Sequence, residues 1–366
     1  MSALTLKHGF KFEDLFETEK LKELTEIFYG YYKSYDKESY NRFAKYSEVK
    51  GEGYPEIEVS KILIESGRIL DKFLIDFFSV EKESEELVKG VHEEHSIIKV
   101  KSEFVTRRVL KKFKEADLAS LNFYELDSQV QILKDQLFAN LPWKKDEEKA
   151  TAAMIHDVIE WEQDYKNHLD ILPGGFVFDD TAGKAATDAY NKIKNSEQGK
   201  SLTENISIKE YKNTSAGETE KLVYEFIKNI VELLQKWTFA KMHDQIEKHK
   251  TKDWVLFKQP LNMVYNDLVH NKQVDKNIPE KMRGQDESLR RRDGFKLTDE
   301  RYNNRQVMGE VEYCVFCHER NKDSCSKGFK EKDGSFKRNP IGIVLKGCPL
   351  DEKISEMHYL KYEGRS

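Results

Sequence analysis

Cysteine is absent from the first 313 residues of this 366-residue chain, and all four cysteines lie between residues 314 and 348. No uninterrupted apolar run approaches the roughly 18–20 residues of a membrane-spanning helix, and the first residues lack the charged-then-apolar pattern of a signal peptide. A net charge of only −5 gives no general attraction to nucleic acid or to an anionic membrane. We therefore expect a soluble, cytoplasmic protein with no nucleic-acid partner and no membrane insertion.

Glycine-rich phosphate-binding turns are also missing. Neither Gly-x-Gly-x-x-Gly nor Gly-x4-Gly-Lys-Ser/Thr occurs in the sequence, and these turns let backbone N–H groups approach a dinucleotide or a nucleotide phosphate. We therefore expect no flavin-binding or NAD(P)-binding residues in this chain. The carboxylates are numerous and evenly mixed with lysine, so they single out no acid–base pair. No catalytic residue is predicted.

Apolar residues at three- and four-residue spacing predict helices through most of the first 250 residues. The strongest cases are 69–78 and 222–237, and weaker ones lie near 12–36, 84–115, 123–140 and 146–169. Ser215 and Glu218 have the spacing of an N-terminal capping box before the second strong case. Residues 175–178 and 341–345 are the best strand candidates. The sequence therefore predicts a mainly α fold with little sheet.

The cysteines follow the spacing Cys314-x2-Cys317-x7-Cys325-x22-Cys348-Pro349. A Cys-x2-Cys pair brings two thiolates around one turn onto a single metal or cluster, and a third thiolate nearby can join them. Sulfur is a soft ligand that suits both iron–sulfur clusters and zinc, and the neighbouring His318 could complete a zinc site of three cysteines and one histidine. The spacing predicts Cys314, Cys317, Cys325 and Cys348 as metal ligands and leaves the choice of metal open.

The sequence around the cysteines resembles a known family. Residues 347–364, Gly-Cys-Pro-Leu-Asp-Glu-Lys-Ile-Ser-Glu-Met-His-Tyr-Leu-Lys-Tyr-Glu-Gly, are similar to a segment of the glutamate synthase small subunit and of the dihydropyrimidine dehydrogenase N-terminal domain. Large bacterial FAD-dependent oxidoreductases of the pyridine nucleotide-disulfide type are more closely similar. That likeness is carried by Arg-Arg-Arg-Asp-Gly-Phe-Lys-Leu-Thr-Asp at 290–299 and Tyr-Cys-Val-Phe-Cys-His-Glu-Arg-Asn-Lys-Asp-Ser-Cys-Ser-Lys-Gly at 313–328. The strong likeness covers about 286–366, and a fainter one covers 69–112.

The resemblance implies two 4Fe-4S clusters in this domain and a flavin domain after it. Carried over by position, Cys314, Cys317 and Cys325 would serve the first cluster and Cys348 the second, with the remaining ligands downstream of residue 364. FAD and NAD(P) would then bind downstream in the same polypeptide or on a partner chain. The x22 gap is wider than in the small subunit, and the sequence stops at residue 366. We read the chain as an N-terminal fragment of a longer enzyme, and the alternative is that all four cysteines converge on one site.

We accordingly expect a mostly α-helical domain of unknown role at 1–280, with a sub-boundary near 172–215. Residues 281–366 would form a small α-helical iron–sulfur module that is incomplete at its C-terminal end. The expected function is the electron-transfer portion of a flavin-dependent oxidoreductase, relaying electrons between a flavin/NAD(P)H domain outside this chain and an acceptor. This portion would not be catalytic by itself. The alternative is a non-enzymatic helical interaction protein with a structural zinc module, in which the ligands are four cysteines or three cysteines and one histidine.

Overall fold

The computed structural model describes residues 6–170, 182–204, 206–208, 217–260 and most of 263–365, where 270, 285, 287–288, 290–293 and 296–300 are left out. Helices dominate the described residues, which confirms the mainly α fold. In chain order they are α1 (Thr18–Tyr35), α2 (Lys37–Val49), α3 (Glu56–Phe78), α4 (Glu81–Val100), α5 (Leu110–Lys112), α6 (Phe123–Leu137), α7 (Glu147–Asp170), α8 (Ala182–Asn195), α9 (Glu218–His243), α10 (Gln245–Lys250), α11 (Asn304–Val311), α12 (Ser324–Lys327) and α13 (Ile354–Tyr362). A π-helical segment, Lys101–Val109, separates α4 from α5. None of the described helices has the length and apolar character needed to cross a membrane.

Spatial contacts divide the chain into two compact units. The first unit is discontinuous and joins Met1–His92 to Pro260–Ser366, whereas the second is the continuous segment Glu93–Gln259. The boundary expected near residue 280 stays a prediction. The spatial grouping changes after residues 92 and 259.

Helix α9 runs through the core of the second unit, where it contacts α6, α7, α8 and the π-helical segment. Its buried side chains include Phe226, Ile230, Leu234 and Trp237. Burying each such side chain contributes about 1.5–3 kcal/mol, so tertiary packing outweighs intrinsic helix propensity here. The helix confirms the prediction made for 222–237.

The start of α9 differs from the predicted capping box. Its N-cap residue is Gly217, whose N–H donates to Glu220 Oε2 at 2.6 Å. Glu218 is the first helical residue. The capping role predicted for Glu218 belongs to Glu220, two residues later. Ser215 lies outside the described residues.

The strand prediction at 341–345 is wrong. Val344 makes one isolated antiparallel bridge with Arg338, and Ile341 and Ile343 are exposed on the surface. The described sheet is instead a hairpin of β1 (Asn271–Gln273) and β2 (Met282–Gly284), with Asn271 opposite Gly284. Both strands are exposed throughout, so they carry none of the apolar alternation by which a strand is recognised. The other candidate, 175–178, lies outside the described residues.

A buried ion pair lies at the C-terminal end of α9. Lys241 Nζ donates to Glu247 Oε2 at 2.6 Å, and the ammonium also lies 5.3 Å from the ring centre of Trp237 and 5.5 Å from that of Trp254. Burial of Glu247 opposes its charged form, but the hydrogen bonds from Lys241 and Lys250 outweigh burial and lower the pKa of the carboxyl. Glu247 is therefore held ionised in the folded second unit.

This pair predicts acid-dependent stability of the second unit. Because the pKa of Glu247 is lower in the folded state than in the unfolded chain, its contribution is complete above about pH 4.3 and is lost as pH falls through the folded-state pKa. Glu247→Gln should lower the free energy of unfolding by about 1.5–3 kcal/mol at pH 7, and the difference from wild type should shrink as the pH falls below about 4.

Tryptophan fluorescence during urea unfolding measures this effect, because every tryptophan of the chain belongs to the second unit: Trp143, Trp161, Trp237 and Trp254. The control is Glu232→Gln, which removes an exposed ion pair between Glu232 and Lys236, both on α9. This change should cost under about 1 kcal/mol. Equal losses in the two variants, or a Glu247→Gln deficit that does not begin to shrink as the pH falls below about 4, would contradict the assignment.

In the first unit, α1, α2 and α3 pack around a cluster of aromatic rings. Tyr32 lies fully buried at its centre, with its hydroxyl 2.8 Å from Ser39 Oγ and 2.9 Å from Ser66 Oγ. Helix α13 packs against α3, where Gly67 allows a close approach: an added Cβ would lie 2.5 Å from Leu360 Cδ1. The N-terminal helices therefore support the C-terminal part of the chain directly.

Candidate metal-thiolate site

The first two cysteines follow α11. Asn303 caps this helix by accepting a hydrogen bond from Gln306 N–H, and Cys314 N–H donates to the carbonyl of Val311 at 3.0 Å. Phe316 then adopts a left-handed conformation (φ 44°), and its N–H donates to Cys314 Sγ at 3.4 Å. This turn therefore directs a backbone N–H at the sulfur of the first predicted ligand.

Cys317 and Cys325 are joined through α12. Cys317 begins a 3₁₀ turn, Cys317–Arg320, and only 7% of its surface is exposed. Ser324 is the first residue of α12, and its N–H donates to Cys317 Sγ at 3.5 Å. The short helix that carries Cys325 therefore also donates to the sulfur of Cys317.

Cys348 returns to Cys325 despite the 22 intervening residues. The segment between them folds back on itself through two isolated bridges, Lys330 with Phe336 and Arg338 with Val344. At its base Gly347 (φ +86°) crosses Gly328 so closely that an added Cβ on Gly347 would lie 2.4 Å from Gly328 N. Cys348 N–H then donates to the Cys325 carbonyl at 2.8 Å. The 22 residues between Cys325 and Cys348 therefore form a loop whose two ends meet.

The sulfur atoms influence each other electrostatically. Burial raises the pKa of the Cys325 thiol, and charge on Cys317 and Cys314 raises it further. Charge on neighbouring sulfur atoms opposes ionisation of a thiol, and a bound cation is the usual means of offsetting this repulsion. In the part of the chain that the structure describes, which includes every cysteine, no three His, Cys, Asp or Glu side chains converge as metal ligands. Thiol sulfur is a soft donor suited to iron or zinc, but in this arrangement the four sulfur atoms do not form a metal site.

A buried ion pair holds together the segments that carry Cys325 and Cys348. Lys353 Nζ lies 2.7 Å from Asp323 Oδ2, with the two side chains 17% and 5% exposed. Burial of Asp323 opposes its charge, but hydrogen bonds from Lys353 and Ser326 outweigh burial and lower the pKa of the carboxyl. Asp323 also caps α12 by accepting from Ser326 N–H at 3.1 Å. The pair ties the segment after Cys348 to the start of α12.

His318 is buried and is directed at α13. Its Nδ1 lies 2.5 Å from Ser355 Oγ, and Cys314 Sγ donates to the same oxygen at 3.7 Å. Ser355 therefore connects His318 to the first cysteine, a role that its position in the sequence did not reveal. The one feature of the sequence that could have drawn attention to Ser355 is its position within the segment that resembles the oxidoreductases.

Parts of the cysteine-bearing segment contact α3 directly. Arg68 Nε donates to Glu363 Oε2 at 2.9 Å, Ile57 N–H donates to Asn321 Oδ1 at 3.1 Å, and the hydroxyl of Ser60 donates to the Glu356 carboxylate. Each of these contacts joins residues that are 264 or more positions apart in the chain. The site therefore depends on helices near the N-terminus.

These same helices have recognisable relatives. Residues 6–79, which include α1 to α3, match the family described as the RP005 N-terminal alpha-helical domain. A similar protein is the uncharacterized protein RP005 of Rickettsia prowazekii (strain Madrid E), which is 39% identical over 74 residues. The match covers 18% of this chain and 25% of that protein, so the chain spans about a quarter of the length of the curated relative it matches. No solved structure matches this chain significantly.

Proposed function

We propose that this chain is the iron–sulfur electron-transfer portion of a flavin-dependent oxidoreductase. One observation carries the proposal: α12 bears Cys325 while donating to the sulfur of Cys317, and Cys348 is hydrogen-bonded to Cys325 through the backbone. These contacts make the chain segments of Cys317, Cys325 and Cys348 neighbours in the fold, which supports the proposal. The resemblance of 286–366 to FAD-dependent oxidoreductases supports iron–sulfur chemistry over other thiolate sites.

In this proposal the protein supplies ligation and local environment. Cys314, Cys317 and Cys325 would hold a 4Fe-4S cluster, and Cys348 would bind the same cluster or a second one that is completed by residues outside this chain. A bound cluster supplies one-electron chemistry. The backbone N–H groups of Phe316 and Ser324 stabilise negative charge on sulfur. FAD and NAD(P) would bind in a flavin domain downstream or on a partner chain.

A structural zinc module is the second candidate. The Cys-x2-Cys pair with a backbone N–H directed at its first sulfur also suits zinc, and His318 lies next to Cys317. In that case the metal would stabilise the fold of the segment without redox activity. The helical part of the chain would then serve as an interaction domain.

Metal analysis after anaerobic purification tests the proposal. We expect iron and sulfide with broad visible absorption that dithionite bleaches, and we expect Cys325→Ser to lose most of the iron. Cys348→Ser separates the two cluster arrangements: iron falls as far as in Cys325→Ser if all four cysteines share one site, and less if Cys348 serves another. About one zinc per chain without iron or colour would replace the proposal by the zinc module. A protein that binds neither metal would contradict a thiolate site in this chain.

A further inference from the structure

A cavity of about 650 Å³ lies in the first unit between α3, the 3₁₀ turn Cys317–Arg320 and α13. Its walls include Tyr54, Ile57, Lys61, His318 and Tyr359. The volume falls within the range of about 300–1,000 Å³ typical of small-molecule sites. Because its walls come from both parts of the discontinuous first unit, the cavity exists only when that unit is assembled.

The charges around the cavity largely cancel. The guanidinium of Arg42 lies 2.7 Å from the Glu65 carboxylate, and Arg68 is paired with Glu363. Lys61 is exposed and belongs to the same wall as two exposed carboxylates, those of Glu58 and Glu319. One carboxylate is therefore in excess among these groups, so a bound anion would meet no unbalanced positive charge, and a ligand without negative charge is favoured.

Aromatic groups and one imidazole give the cavity its chemical character. The Tyr359 ring contacts Phe316 and His318 edge-on, at centroid distances of 6.1 and 6.2 Å, and Arg68 lies over it at 5.8 Å. Such contacts hold the ring in a defined orientation. Since Nδ1 of His318 is engaged by Ser355, a hydrogen bond between this imidazole and a bound molecule would have to use Nε2.

We propose that this cavity binds an uncharged planar heteroaromatic molecule, which lies against Tyr54 and Tyr359 and places one polar atom on Nε2 of His318. The site goes beyond the proposed function, and it requires that His318 is not itself a metal ligand. Its position does have a bearing on that function, because Cys314 Sγ and His318 share Ser355 as a hydrogen-bond partner. A molecule on His318 would therefore be linked to the first cysteine through the hydroxyl of Ser355.

Indole is the probe, titrated into the full chain and followed by saturation-transfer NMR. We expect saturable binding with a Kd on the order of 0.1–1 mM, as suits a ligand of this size. Tyr359→Ala should weaken it at least about tenfold through loss of aromatic contact. The matched control is Tyr362→Ala, on the same helix but outside the cavity wall, which should leave the Kd unchanged. Indole-3-acetate should bind at least about fivefold more weakly than indole because its charge finds no unbalanced partner.

Ile57→Phe guards against misfolding as the explanation, because it narrows the cavity with a larger side chain and keeps Tyr54, His318 and Tyr359. Weaker indole binding in both Ile57→Phe and Tyr359→Ala, with normal circular dichroism and normal binding by Tyr362→Ala, supports the site. No saturable binding to wild type, equal binding by all variants, or tighter binding of indole-3-acetate would overturn it. Iron and zinc are measured on the same samples, so a metal-free protein that binds indole refutes the proposed function alone.

Discussion

Gly347→Ala is expected to separate Cys348 from Cys325 and to strip the site of any metal that needs both. Gly347 has a φ of +86°, and an added Cβ would lie 2.4 Å from Gly328 N and 2.5 Å from the Ser326 carbonyl oxygen. These are backbone atoms that cannot rotate away, and left-handed backbone alone costs an alanine about 1–2 kcal/mol. We expect a total loss of at least about 3 kcal/mol in local stability. Hydrogen exchange of the Cys348 amide, together with metal content, measures it.

Gly334→Ala provides a matched control for this experiment. Its φ of +87° is nearly the same as that of Gly347, but nothing lies within 4 Å of an added Cβ. The control therefore carries the backbone strain without the steric clash and should cost only about 1–2 kcal/mol. If both alanine variants keep the Cys348 amide equally protected and bind equal metal, the crossing of Gly347 and Gly328 does not hold the two cysteines together.

Lys353→Ala is expected to loosen the same region, because Lys353 follows Cys348 and pairs with Asp323, which precedes Cys325. It leaves Asp323, whose side chain is 5% exposed, as a buried carboxylate without its ammonium partner. Removing one member of a buried ion pair costs about 3 kcal/mol or more. Because Asp323 also caps α12, the loss should appear as faster hydrogen exchange across 323–327 and as lower metal content.

The comparison for Lys353→Ala is Lys327→Ala. Lys327 pairs with Glu56, and its side chain is about half exposed, so solvent screens the pair and its removal should cost under about 1 kcal/mol. Both lysines belong to the cysteine-bearing segment, and both variants remove one positive charge. A Lys353→Ala effect no larger than that of Lys327→Ala would show that burial does not strengthen the Asp323 pair.

The helices could be predicted from the sequence because their apolar residues repeat with the period of the helix. In α3 the repeat places Ile69, Phe73 and Phe77 on the buried side. The same reasoning failed at 341–345, where the residues have the composition of a strand but Ile341 and Ile343 are 46% and 57% exposed. An apolar run predicts a strand only if it is buried, and burial is decided by the rest of the fold.

The cysteines could be nominated from the sequence because thiolate chemistry limits the residue types, but their surroundings could not. Lys353 and Ser355 act on groups 30 and 37 residues away, and neither carries a local signature that distinguishes it from a surface residue. The cavity was equally hidden, since α3 and Tyr359 meet only after the first unit closes. The metal itself stays a prediction, because cysteine spacing admits both iron and zinc.

The discontinuity of the first unit sets an order for folding. Residues 93–259 are continuous and can fold as soon as they are synthesised, whereas α3 must wait for Glu363 and Arg365, which are 294 or more positions later in the chain. Contacts of such long range form slowly, and until then the side of α3 that receives α13 is exposed to other proteins. Any metal that the cysteines bind would therefore be acquired only after the C-terminal part of the first unit has reached α3.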